Sequence, residues 1–356
     1  MDTSKLYALL EEVDGLLARI DSTLPLAHLA PHYAALARHA LETALVYTDR
    51  PVDTTPLKLL RAIAQTHAIS LEAAVGDADV MRLMLENGAP IDERTFIHSC
   101  REGHTEIVRL FLNHGANPAA DNNTALRDSA FKGHTEIVRL LLDLPPERGV
   151  NPAANENEAL RDASERGHTE IVRLLLELPL ERGVDPAAYG RYNNNAALMN
   201  ACANGHTEIV RSLLELPLDR GVNPSVLNKF ELRLACERGH TEIIRLLLAL
   251  PLERGIKPGL YDNDALKHAC VYGHTEIVRM LLELPLDRGV TPVSHDNNAL
   301  NCACQNKHRD IVRLLLALPR ERGVNLKGIN IEAFRTYDRE IYSLLRQADR
   351  RMNARK

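Results

Sequence analysis

The tetrapeptide Gly-His-Thr-Glu occurs six times in this chain of 356 residues, beginning at Gly103, Gly133, Gly167, Gly205, Gly239 and Gly273. Successive copies stand 30, 34, 38, 34 and 34 residues apart, and a degenerate copy, Lys307-His308-Arg309-Asp310, follows 34 residues later. Weaker copies flank the series. Gly76-Asp77-Ala78-Asp79 lies 27 residues before it and Tyr337-Asp338-Arg339-Glu340 lies 30 after it, which makes nine units. Self-similarity at a period of about 20–50 residues means one small structural unit copied along the chain, each copy burying its apolar face against its neighbours. The two or three globular domains that this length would otherwise suggest are therefore not expected.

Each irregular interval traces to a definite insertion. In the early units the chain runs into Asn87-Gly88 or His114-Gly115, whereas from Leu142 onward it meets LPPERGV, LPLERGV or LPLDRGV. The step from Leu112 to Gly115 is three residues and that from Leu142 to Gly149 is seven, so four added residues turn 30 into 34. The interval of 38 holds four more, Tyr189-Gly190-Arg191-Tyr192, between Pro186 and Asn193, and this insertion occurs once.

Each unit reads as helix, turn, helix and loop. Seven positions before the Gly stands an apolar residue: Phe96, Leu126, Leu160, Leu198, Leu232, Leu266 and, in the degenerate copy, Leu300. Four and three positions before it are small pairs such as Ser99-Cys100, Ala201-Cys202 and Ala303-Cys304, which close helix approach demands. The Gly supplies a left-handed turn. Thr is then expected to cap the next helix, with Glu in its first turn where the helix dipole favours negative charge. The second helix, for example Ile171-Val172-Arg173-Leu174-Leu175-Leu176, is apolar on most sides and must lie between neighbours. Pro145, Pro179, Pro217, Pro251, Pro285 and Pro319 end these helices, because an interior proline costs about 3 kcal/mol.

This pattern resembles the ankyrin repeat, whose consensus contains GHxEIVxLLLxxGAxP, and the resemblance runs from about Ile69 to Gln347. It implies an all-α fold: an ankyrin-type helix-turn-helix solenoid over residues 69–326, a helical segment before it at 1–68, and a degenerate capping repeat with a basic tail at 327–356. It also implies a scaffold that binds a protein partner through its concave face and loop tips. Two departures stand out. The TPLH signature that opens the family's first helix is replaced by forms such as Asn123-Thr124-Ala125-Leu126 and Asn298-Ala299-Leu300, and the LPLERGV extension lies outside the consensus. Short Asn-stabilised turns with little or no strand are expected in place of the family's β-hairpin fingers. Repeats of this kind also resemble those of ankyrin effectors that intracellular bacteria deliver into host cells.

The ends differ from the repeats. Leu6, Leu9, Leu10, Val13, Leu16, Leu17 and Ile20 form one apolar stripe, and further helices are predicted from Pro31 to Tyr47 and from Pro56 to Thr66. Residues 1–68 read either as a cap over the first repeat's apolar face or as a small binding domain. The terminal Arg346, Arg350, Arg351, Arg355 and Lys356 read either as a solvated tail or as a secretion signal.

Composition and geometry exclude several functions. A net charge of −5 gives no general attraction to phosphate backbones, so nucleic acid is not an expected partner. The first twelve residues carry acids where a secretory signal is basic, and no run of 18 or more apolar residues follows, so the expectation is a cytoplasmic chain without membrane insertion. With no Trp and 4% aromatic residues, the core must be aliphatic and small. Equivalent histidines in stacked units lie about 8–10 Å apart, too far to share a zinc ion that needs donors within about 2.1 Å. They read as turn residues making local hydrogen bonds, and no metal or cofactor is expected. Cys100, Cys202, Cys236, Cys270 and Cys304 share one repeat position and are too widely spaced for disulfides. No Gly-rich phosphate loop, GxSxG, HExxH or paired CxxC is present, and the chain reads as non-enzymatic. An enzyme or ligand-binding site within residues 1–68, using His28, His32, His39, Asp49 or Asp53 with the repeats as targeting arm, remains the alternative, as does a plain spacer.

Binding function is sought where units differ, because stacking already explains what they share. Outward positions of the first helices present Arg127, Phe131, Arg161, Phe230, Arg233, Lys267, His268 and Tyr272, and loop tips add Tyr189, Arg191, Tyr192 and Tyr261. Tyr and Arg dominate binding hot spots. The Tyr189–Tyr192 insertion is either an anchor for the partner or an accident of loop length. The partner is read as a protein, a host protein in the effector reading, bound by a monomer.

Overall fold

The computed structural model describes residues 3–19, 30–46, 54–58, 77–86, 91–187, 195–217, 220, 222, 230–251, 256–285, 288, 290–319, 322 and 325–353. They contain α-helix, short 3-10 turns and no strand, as the Asn-rich openings implied. The chain divides into two compact units, Met1–Pro152 and Ala153–Lys356.

In the first unit, helices Thr3–Arg19 and Ala30–Val46 pair through Leu6, Val13, Leu16, Ala34, Ala37 and Leu41, all buried. Of the predicted stripe, Leu9, Leu10 and Leu17 are half-buried and Ile20 lies outside the described residues. Residues 55–58 are helical, and the remainder of the predicted Pro56–Thr66 helix lies outside the described residues. Helix Ala78–Glu86 follows, its first N–H groups capped by Asp77 Oδ1 at 3.1 and 3.2 Å. Two helix pairs complete the unit, Glu93–Glu102 with Thr105–Asn113 and Ala120–Lys132 with Thr135–Leu142. First helix lies on first helix and second on second. Phe96 and Phe111 meet edge to face, their centroids 6.0 Å apart, in the one aromatic pair of this core among the described residues.

The second unit repeats the arrangement. Its first helices are Ala154–Arg166, Ala196–Asn204, Phe230–Arg238, Leu260–Tyr272 and Ser294–Gln305, and its second helices are Thr169–Leu176, Thr207–Glu215, Thr241–Leu248, Thr275–Glu283 and Arg309–Leu316. A final pair, Phe334–Tyr337 and Arg339–Asn353, closes the run against Arg309–Leu316. The Ile-Val/Ile and Leu positions of the second helices and the small pairs of the first are fully buried, as in Ile171, Val172, Leu175 and Ala163. The repeated cysteines are free and buried. Burial pushes the Cys100, Cys236 and Cys270 thiols far up and that of Cys304 up to about 12, so at neutral pH they are uncharged packing groups.

Two expectations about the turn are corrected. Thr does not cap the second helix. The residue before the helix is His, at φ −77° and ψ 70° for His104, and Thr105 already has its N–H on Gly103 O at 2.9 Å. The Thr hydroxyl turns back toward that Gly carbonyl, at 3.2 Å for Thr241 and farther elsewhere. Nor does the histidine bond locally. Its Nε2–H donates to a carbonyl of the preceding repeat, two residues before that repeat's turn: His134 to Arg101 at 2.8 Å, His206 to Glu165 at 2.9 Å, His240 to Ala203 at 3.2 Å, His274 to Glu237 at 2.8 Å and His308 to Val271 at 2.9 Å. These carbonyls belong to the last turn of a helix, where the helix itself offers no partner. The glycine is required twice over. Gly167 sits at φ 82°, and a Cβ there would stand 2.6 Å from His206 Cε1.

Two further stitches join neighbouring repeats. Asn123, Asn157 and Asn263 are buried with positive φ, and their Oδ1 atoms accept the N–H of Asn151, Asp185 and Thr291 at 2.8–2.9 Å. The Asn side chain tolerates this left-handed backbone better than most residues. The arginine of the extension reaches the end of the preceding second helix: Arg220 to Leu176 O at 3.2 Å, Arg288 to Leu248 O at 3.4 Å and Arg322 to Leu284 O at 2.6 Å. A cation at a helix C-terminus satisfies a carbonyl and opposes the helix dipole.

In the closing pair, Asp338 accepts from Glu340 and Ile341 N–H at 3.1 Å and from Arg309 Nη2 at 2.9 Å. Burial alone would raise the Asp338 carboxyl, but these hydrogen bonds and the Arg309 charge outweigh it and hold it below the ordinary 3.8.

Two outcomes are expected. Gly167→Ala should cost about 1–3 kcal/mol, and His206→Ala should cost less in that background than alone, because the added methyl has already displaced the ring. A urea-unfolding double-mutant cycle measures this, and additive costs would mean the two residues act separately. Because the folded Asp338 pKa is lowered, its contribution is present above the unfolded value of 3.8 and is lost as pH falls through the folded one. Asp338→Asn should therefore flatten the acid limb of thermal stability below about pH 4, read by melting temperature against pH.

Candidate partner-binding surface

Outward residues of two neighbouring first helices in the second unit converge on one carboxylate. Arg233 and Glu237 stand one turn apart on Phe230–Arg238, and Lys267, His268 and Tyr272 follow the same helical periodicity on the adjoining Leu260–Tyr272. Glu237 Oε2 accepts from Arg233 Nη1 at 3.1 Å and lies 3.5 Å from His268 Nδ1, while Oε1 accepts from Tyr272 OH at 3.1 Å. The His268 and Tyr272 rings lie nearly parallel, at 16° with centroids 6.3 Å apart. Lys267 Nζ faces Asp264 at 3.7 Å. Tyr272 remains 50% exposed. The result is a phenol held in one orientation by a carboxylate that an arginine also engages.

Electrostatics follow from this geometry. Burial lowers the His268 pKa, the Arg233 cation adds to the effect, and Glu237 and Asp264 oppose it, so the imidazole is neutral at pH 7. Tyr272 is raised by its hydrogen bond to Glu237 and by that group's charge. A neutral imidazole, a phenol and two cations around one carboxylate can hydrogen-bond a partner, stack on it and complement its charge.

The other candidates divide. Arg161 is spent on Glu158 at 3.3 Å and Asp162 at 3.4 Å within its own helix. In the first unit Arg127 Nη1 donates to Asn122 O at 3.2 Å, and Phe131 is half-buried. Phe230 and Tyr261 occupy helical backbone positions. Tyr189, Arg191 and Tyr192 lie outside the described residues. Glu237, the group that ties the cluster together, was missed from sequence. It stands two residues before its turn, where the units carry Arg101, Phe131, Glu165, Ala203, Glu237 and Val271, a variability that marks the position as free of stacking demands.

A family model of ankyrin repeats (3 copies) matches residues 68–154, 144–228 and 232–328. The chain belongs to the ankyrin-repeat family. Its all-α solenoid of helix-turn-helix units is of that kind, and ankyrin repeats serve in general as protein-protein interaction modules. Among solved structures it is similar to the human ASB11 ankyrin repeat domain, at 19% identity over 57% of this chain and 95% of that one, with a TM-score of 0.42. A comparison with curated proteins finds no match. Among the described residues of this ankyrin chain no helix is long and apolar enough to cross a membrane.

Glu237→Gln removes the charge that raises both ring groups. The Tyr272 pKa should fall toward 10 and the His268 pKa should fall further below 6.5. NMR titration of the two side chains reads both shifts, and unmoved values would mean that the carboxylate does not organise the cluster.

Proposed function

We propose that this ankyrin chain is a non-enzymatic scaffold whose protein partner docks on the outward face of its first helices, centred on Arg233, Lys267, His268 and Tyr272. The observation that carries the reading is Tyr272: half exposed, yet fixed by Glu237 and set against the His268 ring. An aromatic side chain that is already ordered loses little freedom on binding, which is the economy that hot-spot tyrosines exploit. Phe230 and Tyr261, by their positions on the same helices, extend this surface, and the Tyr189, Arg191 and Tyr192 insertion is its second anchor. Arg127, Phe131 and Arg161 act at its periphery.

Residues 1–68 serve as a helical cap, 69–326 as the binding solenoid and 327–356 as the closing repeat and basic tail. The chain acts as a monomer in the cytoplasm, and the effector resemblance makes a host protein the partner. Neither metal nor cofactor enters this function.

The experiment is affinity capture from host-cell and own-cell lysates with the intact chain, Tyr272→Ala, and the triple variant Tyr189→Ala/Arg191→Ala/Tyr192→Ala. A partner held by the intact chain should bind Tyr272→Ala about tenfold more weakly or worse, with an unchanged melting temperature. Equal affinity for Tyr272→Ala would move the surface away from the cluster, and equal affinity for the triple variant would remove the insertion from it.

A further inference from the structure

At the carboxy-terminal end of the second unit, a groove of about 570 Å³ opens between the first helix Ser294–Gln305 and the closing segment. Its wall includes Asn301, Gln305, Asn330, Thr336, Phe334 and Tyr337, and every side chain lining it is uncharged. That is unusual for this surface. Asn301 occupies the repeat position held by Arg127, Arg161, Arg233 and Lys267, and Gln305 that held by Glu165 and Glu237. The last full repeat has exchanged a charged register for amides at positions that stacking leaves free.

Among the described residues, the side chains of Asn301, Gln305 and Thr336 are engaged with no other group, unlike Asn330, whose Oδ1 takes the Ala333 N–H at 3.3 Å. Asn301 and Gln305 are four residues apart on one helix, hence about 6 Å along its axis. Main-chain groups on one side of an extended peptide recur every second residue, at about 6.6 Å. A primary amide offers both a donor and an acceptor, which is what a peptide group requires on each side. Tyr337 is fixed beside them: its OH donates to Gln305 O at 3.1 Å, the Lys307 ammonium lies 4.4 Å above its ring, and Phe334 meets it edge to face.

We infer that this groove binds a short extended peptide segment of uncharged sequence, with Asn301 and Gln305 pairing to its main chain and Tyr337 and Phe334 receiving an apolar side chain. A buried carboxylate or ammonium from the ligand would find no counter-charge in the wall and would lose its hydration without compensation. A neutral sugar shares the preference for amides, but it stacks on open ring faces. Here Lys307 covers one face of Tyr337, and Phe334 is buried.

The test uses the full chain and a phage-displayed library of random nine-residue peptides, with an array of neutral oligosaccharides in parallel. Selected peptides should lack Asp, Glu, Lys and Arg across the contacted positions. A synthetic representative should bind at least about tenfold more weakly to Asn301→Asp/Gln305→Glu, which keeps shape and adds charge, and equally well to Tyr272→Ala. That control separates this groove from the surface proposed above. An unaltered melting temperature, together with Asn301→Ala as a milder variant, guards against misfolding. No enrichment, a charged consensus, affinity indifferent to the charged variant, or sugars bound where peptides are not would each overturn the inference.

Discussion

The fold rests on a hydrogen bond between repeats made where a helix cannot satisfy itself. The last turn of each first helix leaves carbonyls without partners, and in the described repeats one of them is taken by the Nε2–H of the histidine one repeat later, as in His274 on Glu237 O. For that ring to lie against the preceding turn, the turn must carry no Cβ and must adopt a left-handed φ. Gly103, Gly167, Gly205 and Gly239 meet both demands at once. Glycine and histidine are therefore adjacent in sequence but cooperate across a repeat, each histidine filling space that the previous glycine leaves open. Stability of this kind accumulates between nearest neighbours, and the degenerate copy keeps His308 while it surrenders its glycine to Lys307, which takes φ 62° itself.

The extended loops then perform a task that strands perform elsewhere. Asn123, Asn157 and Asn263 hold a left-handed backbone and accept an N–H from the next repeat through the side chain. The arginines of LPLERGV and LPLDRGV tie the far end of the same interface to the preceding second helix. With carbonyls and N–H groups satisfied in this way, the loops have no need of cross-strand ladders, which accounts for helix without strand among the described residues. The four-residue extension and the Asn openings are thus two halves of one departure from the consensus, and the sequence carries both together from Leu142 onward.

Repetition made the helices, their limits and their buried small pairs legible, because a pattern copied seven times separates what stacking requires from what it tolerates. It did not make partners across the repeat legible. A histidine beside a glycine suggests a local bond, since sequence distance cannot reveal that 33 or more residues of chain return Arg101 O to His134. Thr at the head of a helix suggests a cap, yet the His before it already holds the non-helical backbone. At the surface, Arg233, Lys267, His268 and Tyr272 were visible as variable outward residues, whereas Glu237 was hidden by its charge, which on a helix usually means only a solvated face. What identifies it is convergence, and convergence is a property of two packed helices.

The same separation of fixed from free positions argues for where chemistry can reside. The columns that stacking fixes are uncharged or locked: thiols pushed far from ionisation by burial, and imidazoles committed to carbonyls. Variation is left to the outward register of the first helices, and there it is graded. Arg233 and Lys267 surround a carboxylate and an ordered phenol, and one repeat later the same register becomes Asn301 and Gln305 beside Tyr337. A rigid scaffold whose adjacent repeats present first charge and then neutral amides can discriminate along the length of a partner, because each repeat meets a different stretch of it. Changing one repeat's outward residues alters one stretch of that recognition while leaving the hydrogen bonds that hold the stack untouched.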